Sequence, residues 1–212
     1  MGDRARRAVL HAVAAAVKDR PLPPPPAPRP PGPTRTLPDL AERFMHTLTV
    51  DGRVHGSYHE VAGVKEAGEA VSRIAGRRPV VAWATELISG IIGAQGITPS
   101  NTTRQWAEAR CLAEGVGIVE AHVVVAETGS LLLTLTEETA PWGAALLPPV
   151  QIVVARASSL VSTLEEGLRR ASDARAAHAI FIAGPSRTAD VEKTLVVPAH
   201  GPQELHLIVL LD

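Results

Sequence analysis

Five apolar runs constrain what this chain can fold into: "PVVAWA" (79–84), "VGIVEAHVVVAETGSLLLTL" (116–135), "VQIVVA" (150–155), "AIFIAG" (179–184) and "ELHLIVLL" (204–211). A strand with one wet face alternates apolar and polar residues. A strand that is apolar at nearly every position needs cover on both faces. Stretches of helical periodicity separate the runs. Val64 to Ala75 reads as a helix with Gly76 as its C-cap, and Ser162 to Ala171 as another. "LPDLAERFMHTLTVDG" repeats Leu40, Phe44 and Leu48 at helical spacing, with Pro38 in the first turn. Strands that alternate with helices in this way imply an α/β sheet with helices on either side. Three shorter readings complete the map. "RVHGSYHEV" is a short strand and turn, and Thr103 to Glu114 is helical. Gly90, Gly93, Gly96 and Pro99 break Thr85 to Thr103 into a short helix and a loop.

Ahead of this body, Pro21 to Pro33 holds nine prolines and a glycine, which rules out helix or central strand. It reads as an extended, polyproline-like linker. The expected organisation is a helix over 1–20, the linker over 21–37 and the α/β domain over 38–212. The first helix carries Val9, Val13 and Val17 on one face; Asp3 and Asp19 flank its short apolar part, against a targeting peptide. It is tethered, free to dock on the body or on a partner.

Composition then excludes function classes. With 212 residues there is material for a proper core, while a net charge of −1 argues against binding nucleic acid by bulk electrostatics. Cys111 is the sole cysteine, so no internal disulfide and no thiolate cluster for zinc or iron–sulfur can form. No continuous apolar span suits a membrane crossing, and the expected compartment is the cytoplasm.

Three motifs carry chemical interest. In "GPSRTADVE" (184–192) an apolar run halts at Gly184-Pro185, and Ser186, Arg187, Thr188, Asp190 and Glu192 follow at once. In open α/β sheets ligands bind where a strand hands over to a helix. Backbone N–H groups and the Arg187 fork suit an anion there. The alternative is a capped helix in which Arg187 pairs with a carboxylate. In "AETGSLLL", Glu127 precedes a tight turn at Gly129. It is either a nucleophile or general base, or a turn residue bonded to nearby backbone N–H groups. In "PAHGPQELH", His200 sits in a loop before the last strand, while His206 alternates with Leu205 and Leu207 on a strand face. His46, His55 and His59 show no metal spacing and read as surface residues, so no metal site is expected. "GIIGAQG" lacks the lysine of a phosphate-binding loop.

Taken in order, "AETGSLLL", "LLPPVQIVVA", "IAGPSRTADVEKTLV" and "AHGPQELHLIVLLD" resemble the LUD domain family, in particular its lactate-utilisation protein C branch. The likeness is strong from about Gly115 to Asp212 and weaker from Pro38 to Glu114. Ser130 replaces a frequent Thr, and Pro198 a frequent Gly. The resemblance implies a fold similar to the sugar-phosphate isomerase and CoA-transferase group, an α/β/α sandwich around a largely parallel sheet. It also implies a part in oxidising L-lactate to pyruvate beside iron–sulfur partner subunits. With no visible redox group, this chain would be a catalytic, ligand-binding or accessory subunit. In the CoA-transferase relatives a Glu before a Gly-containing turn is the nucleophile, and Glu127 looks like that arrangement. The alternative function is an independent enzyme acting on an acyl-CoA or phosphorylated small molecule. The expected site has Glu127 and His200 as its reacting pair. Thr128, Gly129, Ser130, Gly184, Ser186, Arg187, Thr188, Asp190 and Gly201 line the ligand, a small carboxylate or phosphate, with no cofactor.

Overall fold

The computed structural model describes residues 3–18, 36–49, 55–100, 114–135, 143–174, 178–183, 188–189, 195–196 and 202–211. The chain divides into two units, Met1–Pro33 and Thr34–Asp212. In the first, helix α1 spans Asp3–Val17 and exposes Val9, Leu10 and Val13.

The second unit opens with helix α2, Leu37–Thr49. Thr36 and Asp39 cap it reciprocally: the Thr36 N–H donates to Asp39 Oδ2 at 3.1 Å, and the Asp39 N–H to the Thr36 hydroxyl at 3.5 Å. Such a cap satisfies N–H groups that the first turn leaves orphaned. Strand β1, His55–Val61, leads through helix α3, Val64–Ala75, to strand β2, Val80–Ala82. Gly76 ends α3 at φ 57°, and its N–H returns to the Ser72 carbonyl. Helix α4, Glu86–Gly93, starts at Thr85, whose hydroxyl accepts the Ile88 N–H. Strands β3 (Val116–Glu120), β4 (Val123–Val125) and β5 (Ser130–Leu135) follow, then the short helix α5, Gly143–Leu146. After them come strand β6, Val150–Arg156, a turn of 3-10 helix at Ala157–Ser159, strand β7, Leu160–Val161, and helix α6, Leu164–Asp173. Strands β8 (His178–Ile182), β9 (Thr188–Ala189), β10 (Leu195–Val196) and β11 (Glu204–Leu210) complete the order.

The central sheet is wholly parallel, in the order β1-β11-β6-β3-β2, and helices flank it. Its middle strand carries Ile152, Val153, Val154 and Ala155 with no exposure, as the continuous apolar run requires. Each buried Val, Leu or Ile contributes about 1.5–3 kcal/mol of transfer free energy. The α/β architecture read from the apolar runs is therefore present. Gly117 in β3 lets α5 come close. A Cβ built there lies 2.0 Å from the Ala144 carbonyl oxygen. Beside it the fully buried Gln151 donates from Nε2 to the Gly117 carbonyl at 3.1 Å.

A second, four-stranded sheet was not legible in the sequence: β7-β4-β5-β8, with β4 antiparallel to β5, β5 antiparallel to β8, and β4 parallel to β7. One face of it joins the main core through Val124, Leu131, Leu133 and Leu160. The other forms a smaller core of Val123, Val125, Leu132 and Val161 with Leu164, Ala171 and Phe181, beneath α6. The run "AIFIAG" belongs here as an edge strand, exposed at His178 and Ala179 and half-buried at Ile180, Phe181 and Ile182. It is not a strand of the parallel sheet, because its ladder bonds go to β5. A second correction concerns the segment after it. Where a helix start was expected, Thr188–Ala189 is a strand paired antiparallel with Leu195–Val196. The β-branched Thr188 and Val196 suit that extended pairing better than a first helical turn.

Candidate functional site

The turn between β4 and β5 is held from three sides. Val125 pairs with Ser130, which leaves residues 126–129 to reverse the chain, with Gly129 at φ 61°. That left-handed torsion is costly for any residue with a Cβ. On one side the N–H groups of Ala126 and Glu127 donate to the carbonyls of Val161 and Ser162 at 3.0 and 3.1 Å, extending the β4–β7 ladder. On another, the Thr47 hydroxyl of α2 reaches the Ala126 carbonyl at 3.3 Å. On the third lies the start of α6. Thr163 caps that helix, accepting the Glu166 N–H, and Glu127 Oε2 accepts the Leu164 N–H at 3.0 Å. A carboxylate at this position satisfies an orphan donor and faces the positive end of the helix.

Glu127 is thus fixed by a backbone donor 37 residues away, and it is partly accessible. Beside it Thr128 Oγ1 is buried without a hydrogen-bond partner among the described residues. A buried hydroxyl left in that state costs roughly 1–3 kcal/mol, so such a group invites explanation. Ser130 is buried, and its hydroxyl turns back toward the Thr128 carbonyl at 3.5 Å.

Strand β8 delivers its carboxyl end to this same turn. Ile182 pairs with Leu131, one residue past Ser130. Strand β8 therefore ends beside the Glu127 turn, in the second sheet and not at the common edge of the parallel one. Gly184, Ser186, Arg187, Asp190, His200 and Gly201 lie outside the described residues, and of Thr188 only the strand backbone is described. Glu127, Thr128, Gly129 and Ser130 are the expected site residues that the structure places together.

A second polar cluster escaped the sequence reading. β1 and β11 run parallel with Ser57 opposite His206, and residues two apart share a face of the sheet. Ser57 Oγ lies 2.6 Å from His59 Nε2 and 2.8 Å from His206 Nδ1, while His206 Nε2 lies 3.3 Å from Glu204 Oε2. His206 is largely buried, at 13 % side-chain exposure, and Glu204 more open, at 40 %. Burial holds the His59 ring below the usual histidine range, reinforced by the Arg73 cation of α3 and by His206. His59 is therefore no isolated surface residue. The signal available was the period-two spacing of "SYH" and "ELH" on two edge-proximal runs. Among the described residues, no group of three or more His, Cys, Asp or Glu side chains is placed to hold a metal ion. None of their helices is long and apolar enough to cross a membrane.

The LUD domain model matches residues 52–210, which is most of the chain and includes the turn and both sheets. The chain belongs to the LUD domain family. Among curated LUD relatives, lactate utilization protein C of Halalkalibacterium halodurans is 38% identical over 103 residues, covering 46% of this chain and 44% of that protein. Lactate utilization protein C of Geobacillus kaustophilus is 25% identical over 181 residues, covering 76% and 75%. An uncharacterized protein of Neisseria meningitidis, NMB1437, is 26% identical over 155 residues, covering 72% and 56%. The chain spans about half the length of several of the curated relatives it matches. A crystal structure of a DUF162 family protein from Deinococcus radiodurans superposes with a TM-score of 0.55 at 19% identity, over 84% of this chain and 99% of that one. That likeness shows the LUD fold.

Proposed function

We propose that this LUD protein serves bacterial L-lactate utilisation, the oxidation of L-lactate to pyruvate. In this reading it acts in the cytoplasm as a small-carboxylate-binding subunit beside iron–sulfur partner proteins that carry the electrons. Two lines support the reading: the relatives named lactate utilization protein C, and the construction of the β4–β5 turn. The observation that carries the site is the buried Thr128 hydroxyl, without a partner among the described residues, next to Glu127 and at the end of the sheet where β8 finishes. Arg187 then supplies a bidentate fork for a carboxylate, with Ser186 and Thr188 as further donors. Glu127 and His200 are the pair that would move a proton. Held at a helix start just before Gly129, Glu127 also suits the second reading, an acyl-transferring or sugar-phosphate enzyme. Deleting the gene and measuring growth on L-lactate as sole carbon source separates the two. Loss of growth, restored by the wild-type gene and not by Arg187→Ala, is the expected result. Undiminished growth rejects the lactate role.

A further inference from the structure

The row Glu204–His206–Ser57–His59 has a hydrogen-bond direction that chemistry fixes. A carboxylate only accepts, so the neutral His206 ring carries its one proton on Nε2, facing Glu204. His206 Nδ1 is then a lone pair, and among the described residues the Ser57 hydroxyl faces it as donor at 2.8 Å. Ser57 has one proton and spends it there, so its contact with His59 must be accepted from His59 Nε2–H. The row thus runs one way, from His59 through Ser57 and His206 to Glu204. A hydroxyl donating to an imidazole that a carboxylate orients from behind is the arrangement that activates a serine.

We propose that Ser57 is a nucleophile toward acyl donors, carboxylic esters or thioesters, with His206 as its general base. This goes beyond the lactate reading and does not depend on it. In the step, a bond forms between Ser57 Oγ and the carbonyl carbon, and the carbon–oxygen or carbon–sulfur bond of the donor breaks. The Ser57 proton passes to His206 Nδ1 and then to the departing alkoxide or thiolate. Water, deprotonated by His206, cleaves the acyl-serine and restores the resting row. Glu204 compensates the imidazolium formed midway and is a positioning residue. Burial and the Arg73 cation disfavour the charged form of His59, whose Nε2 lies against Ser57 Oγ. Other groups near the row fit this picture: the Arg73 cation of α3 acts electrostatically on His59, and on β1 and β11 Tyr58, Glu60, Leu205 and Leu207 point to the opposite face of the sheet. Both Ser57 and His59 are partly accessible.

The test is covalent labelling of the full chain with an alkyl fluorophosphonate and with p-nitrophenyl acetate, read by intact mass and peptide mapping. With the first probe an oxygen–phosphorus bond forms and fluoride leaves. The expected result is one adduct per chain, mapped to Ser57 in the wild-type protein, and none in Ser57→Ala. His206→Gln should slow labelling by about 100-fold or more, the usual share of a general base. Glu204→Gln should shift the pH profile of labelling, a readout that a merely structural role leaves in place. Mapping on wild-type protein keeps the test valid if a variant misfolds. No adduct at Ser57 with either probe, or labelling indifferent to His206, overturns the proposal. Growth on lactate is unaffected by that outcome, so the two readings fail separately.

Discussion

The Glu127 carboxylate accepts the backbone N–H of Leu164 at 3.0 Å, tying the turn of one hairpin to the start of a helix that comes 37 residues later. A group so placed stabilises the fold whatever else it does. Glu127→Ala should cost about 1 kcal/mol, the scale of a lost helix cap, measured by chemical denaturation. Glu127→Gln keeps an accepting oxygen and loses only the charge facing the helix, so about 0.3–1 kcal/mol is expected. If Glu127 also reacts, the Gln variant folds and is inactive. Full activity in Glu127→Gln assigns the residue to structure alone.

Among the described glycines, Gly117 leaves the least room for a side chain. Gly117→Ala puts a methyl 2.0 Å from the Ala144 carbonyl oxygen and 3.0 Å from Gln151 Oε1. The nearest neighbour is the Ala144 backbone, which cannot swing aside as the end of a side chain can, and a loss of about 3 kcal/mol is expected. Gly93, at the end of α4, is the control. A Cβ there meets nothing within 4 Å, so Gly93→Ala should stabilise by about 0.5–1 kcal/mol. Urea unfolding of the pair checks the contrast. Equal effects would mean that α5 does not approach β3 as closely as described.

The neighbourhood of His59 predicts a pH dependence with a definite sign. Burial, Arg73 and His206 all hold its folded value below the free-histidine value of 6.5. Between those two values the unfolded chain binds more protons than the folded one, so stability rises with pH. The contribution is fully present above pH 6.5 and is lost as the pH falls through the folded value. Unfolding midpoints of wild type and His59→Asn, measured from pH 7.5 downward, should converge as acid is added. A slope unchanged in the variant would assign the dependence to other groups.

How much of this was legible beforehand follows from what each signal encodes. Burial on two faces is written into a run such as "VQIVVA", and β6 is indeed the middle of the parallel sheet. Pairing is not written there. "AIFIAG" is as apolar as "VQIVVA", yet it became the edge strand β8 of another sheet, because a run records burial and not its partner. Gly129 was readable as a tight turn because only a residue without a Cβ takes φ 61° at little cost. The Ser57–His206 contact spans 149 residues and exists only once β1 lies in register on β11, a fact that no local pattern carries. The hairpin at Thr188 was misread as a helix start because hydroxyls and carboxylates after a glycine favour caps as readily as turns.

The sharpest expectation joins Arg187 to Thr128. Ile182 is paired with Leu131, next to the turn, and Arg187 lies five positions further along the chain. A chain of that length spans at most about 18 Å, so the connection itself does not prevent Arg187 from reaching the turn. If both donate to one bound anion, each single change removes a bond from the same ligand. Arg187→Ala should weaken binding of L-lactate or inorganic phosphate by about 1.5–3 kcal/mol, the scale of a charge-assisted hydrogen bond. Thr128→Val swaps a buried hydroxyl without a described partner for a methyl, so the fold should be unharmed or slightly firmer while binding weakens by about 1 kcal/mol. Isothermal titration of both variants and of the double variant completes the cycle. A shared ligand makes the double loss differ from the sum by about 0.5 kcal/mol or more, as contacting groups do. Strict additivity, or binding untouched by Arg187→Ala, places the two residues in separate environments and removes the β4–β5 turn from the ligand site.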